Sequence, residues 1–227
     1  EGAGILFGSR AQSGAIERVV FDGNEIDTDV IGFENVCTIC GSGLIDAVAV
    51  MLGMGIIDST GRFYERCEQD PFLPDSIRNR LITIKEESAF VLSGEYFKGQ
   101  WKNAVYLTQG DIRQLQLAKA AIRAGIQMLL QRADLSAEDI QQVFLAGAFG
   151  NYIQKENAVR IGLLPNIPPE KIHFVGNAAG SGAEMALLSH DARMQTSQLA
   201  QEIDYLEIAH HADFQMVFSE FLLFPEK

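Results

Sequence analysis

The chain has 227 residues, with 18 Lys and Arg against 30 Asp and Glu, a formal charge of −12, and 47% hydrophobic residues. That is long enough to bury a core without disulfides or structural metal. The acidic balance argues against a nucleic-acid or anionic-membrane binder, which presents basic residues to phosphate, and no apolar run approaches the roughly 20 residues of a membrane helix.

In chain order, Gly4–Arg10 and Ala15–Phe21 read as short extended stretches, with Asp22-Gly23 as a turn. Cys40-Gly-Ser-Gly43 leads into a helix over Leu44–Met54, where Leu44, Ile45, Val48, Met51 and Leu52 recur at helical spacing and Gly53 and Gly55 mark the end. Residues 58–80 read as a surface excursion with proline turns. Leu81–Ile84 and Ala89–Leu92 read as strands about an acidic turn. The strongest periodicity predicts a helix over Asp111–Ala133, capped by Asp111, with Ile112, Leu115, Ala118, Ile122, Ile126, Leu129 and Leu130 on its buried face. Ser136 to Asp139 has the spacing of a capping box.

From there strands and helices alternate. Gln142–Leu145 is a strand, Ala146–Asn151 a glycine turn, and Tyr152–Leu163 a helix. Ile172–Val175, Gly176–Gly182 and Ala183–His190 repeat that order. A helix over Gln195–Ile208 precedes Phe214–Phe224, an apolar run expected to form a final strand. Such alternation predicts one α/β unit with strand ends gathered at one edge.

Three glycine-rich stretches stand at strand-to-helix junctions: Cys40-Gly-Ser-Gly43, Ala146-Gly-Ala-Phe-Gly-Asn151 and Gly176-Asn-Ala-Ala-Gly-Ser-Gly-Ala183. Glycine lets backbone approach a ligand closely, and a helix start offers unpaired N–H groups to an anion. One such turn is ordinary α/β punctuation; three in one domain point to a nucleotide. Neither the dinucleotide fingerprint nor a Walker A loop is present.

Together with Thr108-Gln-Gly-Asp-Ile-Arg113, Gln116-Leu-Ala-Lys-Ala-Ala121 and Phe144-Leu-Ala-Gly-Ala-Phe-Gly-Asn151, these stretches resemble the C-terminal part of the reductive activators of corrinoid proteins, over nearly the whole chain. The resemblance implies an α/β fold of the actin-like ATPase (ribonuclease H-like) class, with residues 1–227 forming its C-terminal lobe. It also implies a function, the ATP-dependent return of a corrinoid protein's cobalt from Co(II) to Co(I).

The implied nucleotide contacts are Gly41, Ser42 and Gly43; Gln116 and Lys119 on the long helix; Gly147, Ala148, Phe149 and Gly150; and Asn177, Gly180 and Gly182. ATP with Mg is the implied cofactor of the full-length protein. The family's two Asp-x-Gly-Thr-type phosphate loops do not occur in the chain, and its [2Fe–2S] cluster is expected in an N-terminal ferredoxin-like domain outside it. The fragment is therefore not expected to hydrolyse ATP alone. The expected partner is a corrinoid protein; a homodimer stays open, and neither nucleic acid nor membrane is expected. Other readings remain: an activator of a 2-hydroxyacyl-CoA dehydratase, a sugar- or acetate-type kinase lobe, or a non-catalytic docking or dimerisation lobe.

Cys37, Cys40 and Cys67 are an odd number, a poor start for a disulfide framework, so a reducing cytoplasm is expected. Opening on Glu1 reads as a processed, cloned or truncated end. Cys37-Thr-Ile-Cys40 cannot close a four-ligand metal site by itself, and the dehydratase activators' second cluster cysteine would fall in Ser88–Ser93, where there is none. Cys40 is read as a small buried residue. Asp46 and Glu184 are read as helix-start carboxylates favoured by the dipole, Asp111 and Arg113 as cleft or cap residues, and the four histidines as structural or solvated.

Overall fold

In the computed structural model the described residues are 4–32, 35–65, 68, 71–147, 152–208 and 210–226. The chain opens with β1 (Ala15–Phe21) and β2 (Ile26–Val30), a hairpin closed by Asp22, whose side chain accepts from the backbone N–H groups of Asn24 and Glu25. β3 (Thr38–Ile39) pairs in parallel with β1, giving the sheet order β2-β1-β3. Helix α1 (Gly41–Met54) follows at once and ends at Gly55 in the left-handed conformation. Nearly all of α1 is buried and Asp46 is its one charged residue, so it is apolar on every side, as a central helix must be.

The short α2 (Asp75–Arg78) leads into a second sheet, β4 (Leu81–Ile84), β5 (Glu87–Phe97) and β6 (Gln100–Thr108), antiparallel throughout. Thr108 caps α3 (Gln109–Arg132), and Asp111 is the far partner of that capping box rather than the cap itself. β7 (Val143–Ala146) and β8 (Ile172–Gly176) pair in parallel, connected through α4 (Lys155–Arg160). Two exposed helices follow, α5 (Ala178–Leu188) and α6 (His190–Glu202), and then α7 (Phe214–Glu220). The main core packs α1 onto β1 and gathers Ile16, Ile39, Ile45, Met51, Phe90 and Ile112.

Several expectations need correction. Phe214–Phe224 is not a strand: Phe214, Val217, Phe218 and Phe221 fall at helical intervals, and α7 lays them against Ala124 and Met128 of α3. The expected buried face of α3 holds at its start, where Ile112 and Leu115 are buried, and only in part beyond it. Ala118, Ile122 and Leu129 are exposed, whereas Gln116, Lys119, Ala120, Ala124 and Met128 are buried, because the C-terminal segment covers that side. Gly53 lies inside α1, and α5 starts at Ala178, so Gly180 and Gly182 are helical and not part of a loop. Gly4–Arg10 is mostly turn, joined to the sheet through a bridge from Gly8 to Ile39. The strand β6 has no counterpart in the sequence reading.

Candidate functional site

Gly147 and Gly176 stand at the ends of the parallel strands β7 and β8, and the N–H of Gly147 donates to the carbonyl of Gly176 at 2.7 Å. Both have positive φ, 90° and 64°, a conformation that a side chain disfavours. Among the described residues, a Cβ on either would meet nothing within 4 Å. Asn177 caps α5 by accepting from the N–H of Gly180 at 3.0 Å, and Gly180 is small because the Asn177 side chain folds across it.

At α1 the glycines serve a different end. Gly41-Ser42-Gly43 is the first turn of the helix, not a loop before it. The Ser42 hydroxyl donates to the carbonyl of Glu17 at 2.9 Å and meets Cys40 Sγ at 3.2 Å. A Cβ on Gly43 would run into the carbonyl oxygen of Ile16, so only glycine lets α1 come this close to β1. Cys40 is buried, as expected, and its side chain makes no cap.

α1 and α4 lie in contact, Asp46 against Asn157 near their starts and Gly53 against Arg160 further along. The two helices thus begin toward the same side, and Gly147 and Gly176 stand at the ends of the strands that precede α4 and α5 in the chain. Ala148, Phe149 and Gly150 fall outside the described residues.

Gln116 and Lys119 sit elsewhere, under the C-terminal segment. Gln116 Nε2 donates to the carbonyls of Thr60 (3.1 Å) and Leu222 (2.9 Å), and Lys119 Nζ donates to that of Leu223. Phe224 lies under Lys119, its N–H bonded to Ser59 at 2.8 Å, and Arg123 stacks over Phe221 at 4.4 Å. Burial is the main cause of the fall in the Lys119 pKa to about 8, helped by the nearby charge of Arg123. A cleft of about 1080 Å³ lies beside this strap between the end of α1, α4 and residues 162–166. Among the described residues, Lys119 is the one implied contact that lines it. The structure therefore brings Gly147 beside Gly176 and Asn177 at the ends of β7 and β8, and places Gln116 and Lys119 under the C-terminal segment.

Asp46 does not act as a helix-start carboxylate. It is buried in the second turn of α1 and bonds to α4. Among the described residues no group of three or more His, Cys, Asp or Glu could hold a metal ion; of the described cysteines, Cys37 is exposed and Cys40 buried. Among the described residues no helix is long and apolar enough to cross a membrane.

This sheet-and-helix arrangement is that of an actin-like ATPase domain. The chain belongs to the family described as the C-terminal, ASKHA domain of RACo, whose model matches residues 1–227. It is 35% identical over 217 residues to a corrinoid activation enzyme, RamQ, of Eubacterium limosum, covering 94% of this chain and 36% of the relative. A Methanosarcina barkeri reductase of the Co(II) methylated amine-specific corrinoid protein is 27% identical over 188 residues, 82% of this chain and 29% of its own length. A solved structure of a reductive activator for corrinoid, iron–sulfur protein superposes with a TM-score of 0.83 at 36% identity, over 100% of this chain and 35% of that one. The chain thus spans about a third of the length of the relatives it matches.

Proposed function

We propose that these 227 residues are the C-terminal nucleotide-binding lobe of an ATP-dependent reductive activator of corrinoid proteins. One electron from an iron–sulfur domain outside the chain would return the partner's cobalt from Co(II) to Co(I). The observation that carries this reading is the match along the entire chain to relatives named for corrinoid activation.

The backbone at Gly147 and Gly176 fits an adenosine cradle, with Gly147 on one side and Asn177, Gly180 and Gly182 on the other. The start of α1, Gly41 to Gly43, adds a helix N-terminus. Gln116 and Lys119 could join only if the strap over them moved. ATP would supply the driving force: a nucleotide shifts the protein toward a partner-binding arrangement only by its difference in affinity for the two states.

A chimera tests the proposal: these 227 residues replace the corresponding third of the reductive activator they superpose on. Given ATP, a chemical reductant and a corrinoid protein held as Co(II), it should remove the Co(II) electron-paramagnetic signal. Omitting ATP should stop the reaction. Equal loss of the signal without ATP, with the native activator as control, contradicts the assignment.

A further inference from the structure

The helices that follow two of the glycine-marked junctions, α1 and α4, are joined by a part-buried polar contact. Asp46 of α1 is 0% exposed, and its Oδ1 accepts from Asn157 Nδ2 of α4 at 2.7 Å. Its other oxygen, Oδ2, is buried with no hydrogen-bond partner among the described residues. An orphaned carboxylate oxygen in a core is costly, and an apolar residue would cost less. What Asp46 provides in return is a fixed placement of α4 on α1, the kind of specificity some buried polar pairs supply. Neither the dipole nor capping accounts for it, since it is the sixth residue of α1 and bonds to none of that helix's own N–H groups.

We propose that Asp46 is a positioning residue for the nucleotide rim. By holding Asn157 it fixes α4, whose Lys155 lies over the Phe174 ring of β8, and with it the end of the strand at Gly176. The inference rests on the reading that a nucleotide binds at that rim.

The clasp responds to protons. Burial pushes the Asp46 carboxyl from 3.8 up to about 6, against the pull of Asn157, the backbone of Val19 and the charge of Arg18. Arg18 is the charged group of β1 that bears on it; Glu156 and Arg160 of α4 line the cleft beside Asn157, and Asp111 and Lys119 are the buried charges of α3. A folded pKa above the unfolded one means that the native state holds an extra proton between about pH 4 and 6. The joint is tightest below that window and loosens as pH rises through about 6.

The test combines amide-exchange protection factors of α4 with ATP affinity, both between pH 5 and 8. In the unaltered protein, protection in α4 should fall about three- to tenfold between pH 5 and about 6.5 and level off above that. Asp46→Asn, which keeps an acceptor for Asn157 and cannot ionise, should hold α4 protected at every pH and bind ATP with a flat profile. Asn157→Leu should cut both α4 protection and ATP affinity about tenfold while the core of β1 and α1 stays protected. A flat profile in the unaltered protein, or Asn157→Leu with α4 protection and ATP affinity unchanged, overturns the proposal. No ATP binding by the unaltered protein at any pH overturns the nucleotide reading itself, and the role given to Asp46 with it.

Discussion

Gly43→Ala should destabilise the fold by about 3 kcal/mol or more, read as a fall in the urea midpoint with an unchanged slope. A single methyl at this position meets the carbonyl oxygen of Ile16 and comes within 3.1 Å of Ile39 Cγ1. The Ile16 carbonyl cannot swing aside, because it already accepts the N–H of Cys40 at 3.0 Å at the junction of β3 and α1. The helix must therefore back away from the strand, opening the best-packed seam of the core. Gly182→Ala is the control: that residue is helical and a Cβ there meets nothing within 4 Å, so it should be neutral or stabilise by up to about 1 kcal/mol. Equal effects for the two would refute the account of α1 packing.

Phe224→Ala should cost about 3–4 kcal/mol and release the C-terminal strap. The ring is 2% exposed, and it supports the Lys119 ammonium while the neighbouring carbonyls accept from Gln116 and Lys119. Losing it uncovers a buried cation, so the Lys119 pKa should climb from about 8 toward the ordinary lysine value. Limited proteolysis should then cut between residues 220 and 226 under conditions that leave the parent intact. If Gln116 and Lys119 do contact nucleotide, the variant should also bind ATP more tightly. Unchanged proteolysis and an unchanged lysine titration would mean that the strap is held by something other than this ring.

Much of the architecture was legible because period and punctuation agreed. Hydrophobic spacing located α1 and α3, and Asp22-Gly23 marked the β1–β2 hairpin. The misses have physical causes. The run Phe214–Phe224 is apolar enough to read as a strand, although its aromatic spacing of three and four residues was the helical signal. β6 went unread because its own first half carries Lys102 and Asn103 among apolar residues; Lys98-Gly99 between Tyr96-Phe97 and Trp101 was the hairpin mark. On α3 part of the expected stripe, Ala118, Ile122 and Leu129, points outward because the tail, more than 80 positions later, chose the side carrying Gln116 and Lys119.

Legibility of the site was uneven for similar reasons. A glycine announces that space is needed, but not whether a ligand or the protein's own backbone fills it. Gly43 is small for the strand beneath it, whereas a Cβ on Gly147 would meet nothing within 4 Å among the described residues. Asp46 looked like a helix-start carboxylate because Asn157 lies 111 positions away and no local pattern links them.

Calorimetric titration of the unaltered protein and of Gly147→Val with ATP and ADP tests the central claim most directly. At φ 90° valine is strained, which costs about 1–2 kcal/mol of stability, and it adds a side chain at the end of β7 beside Gly176. Measurable heat from both nucleotides in the parent, weakened at least 100-fold in a variant that still unfolds cooperatively, is the expected outcome. Equal affinity in the two proteins, or no heat from either nucleotide in the parent, would contradict it.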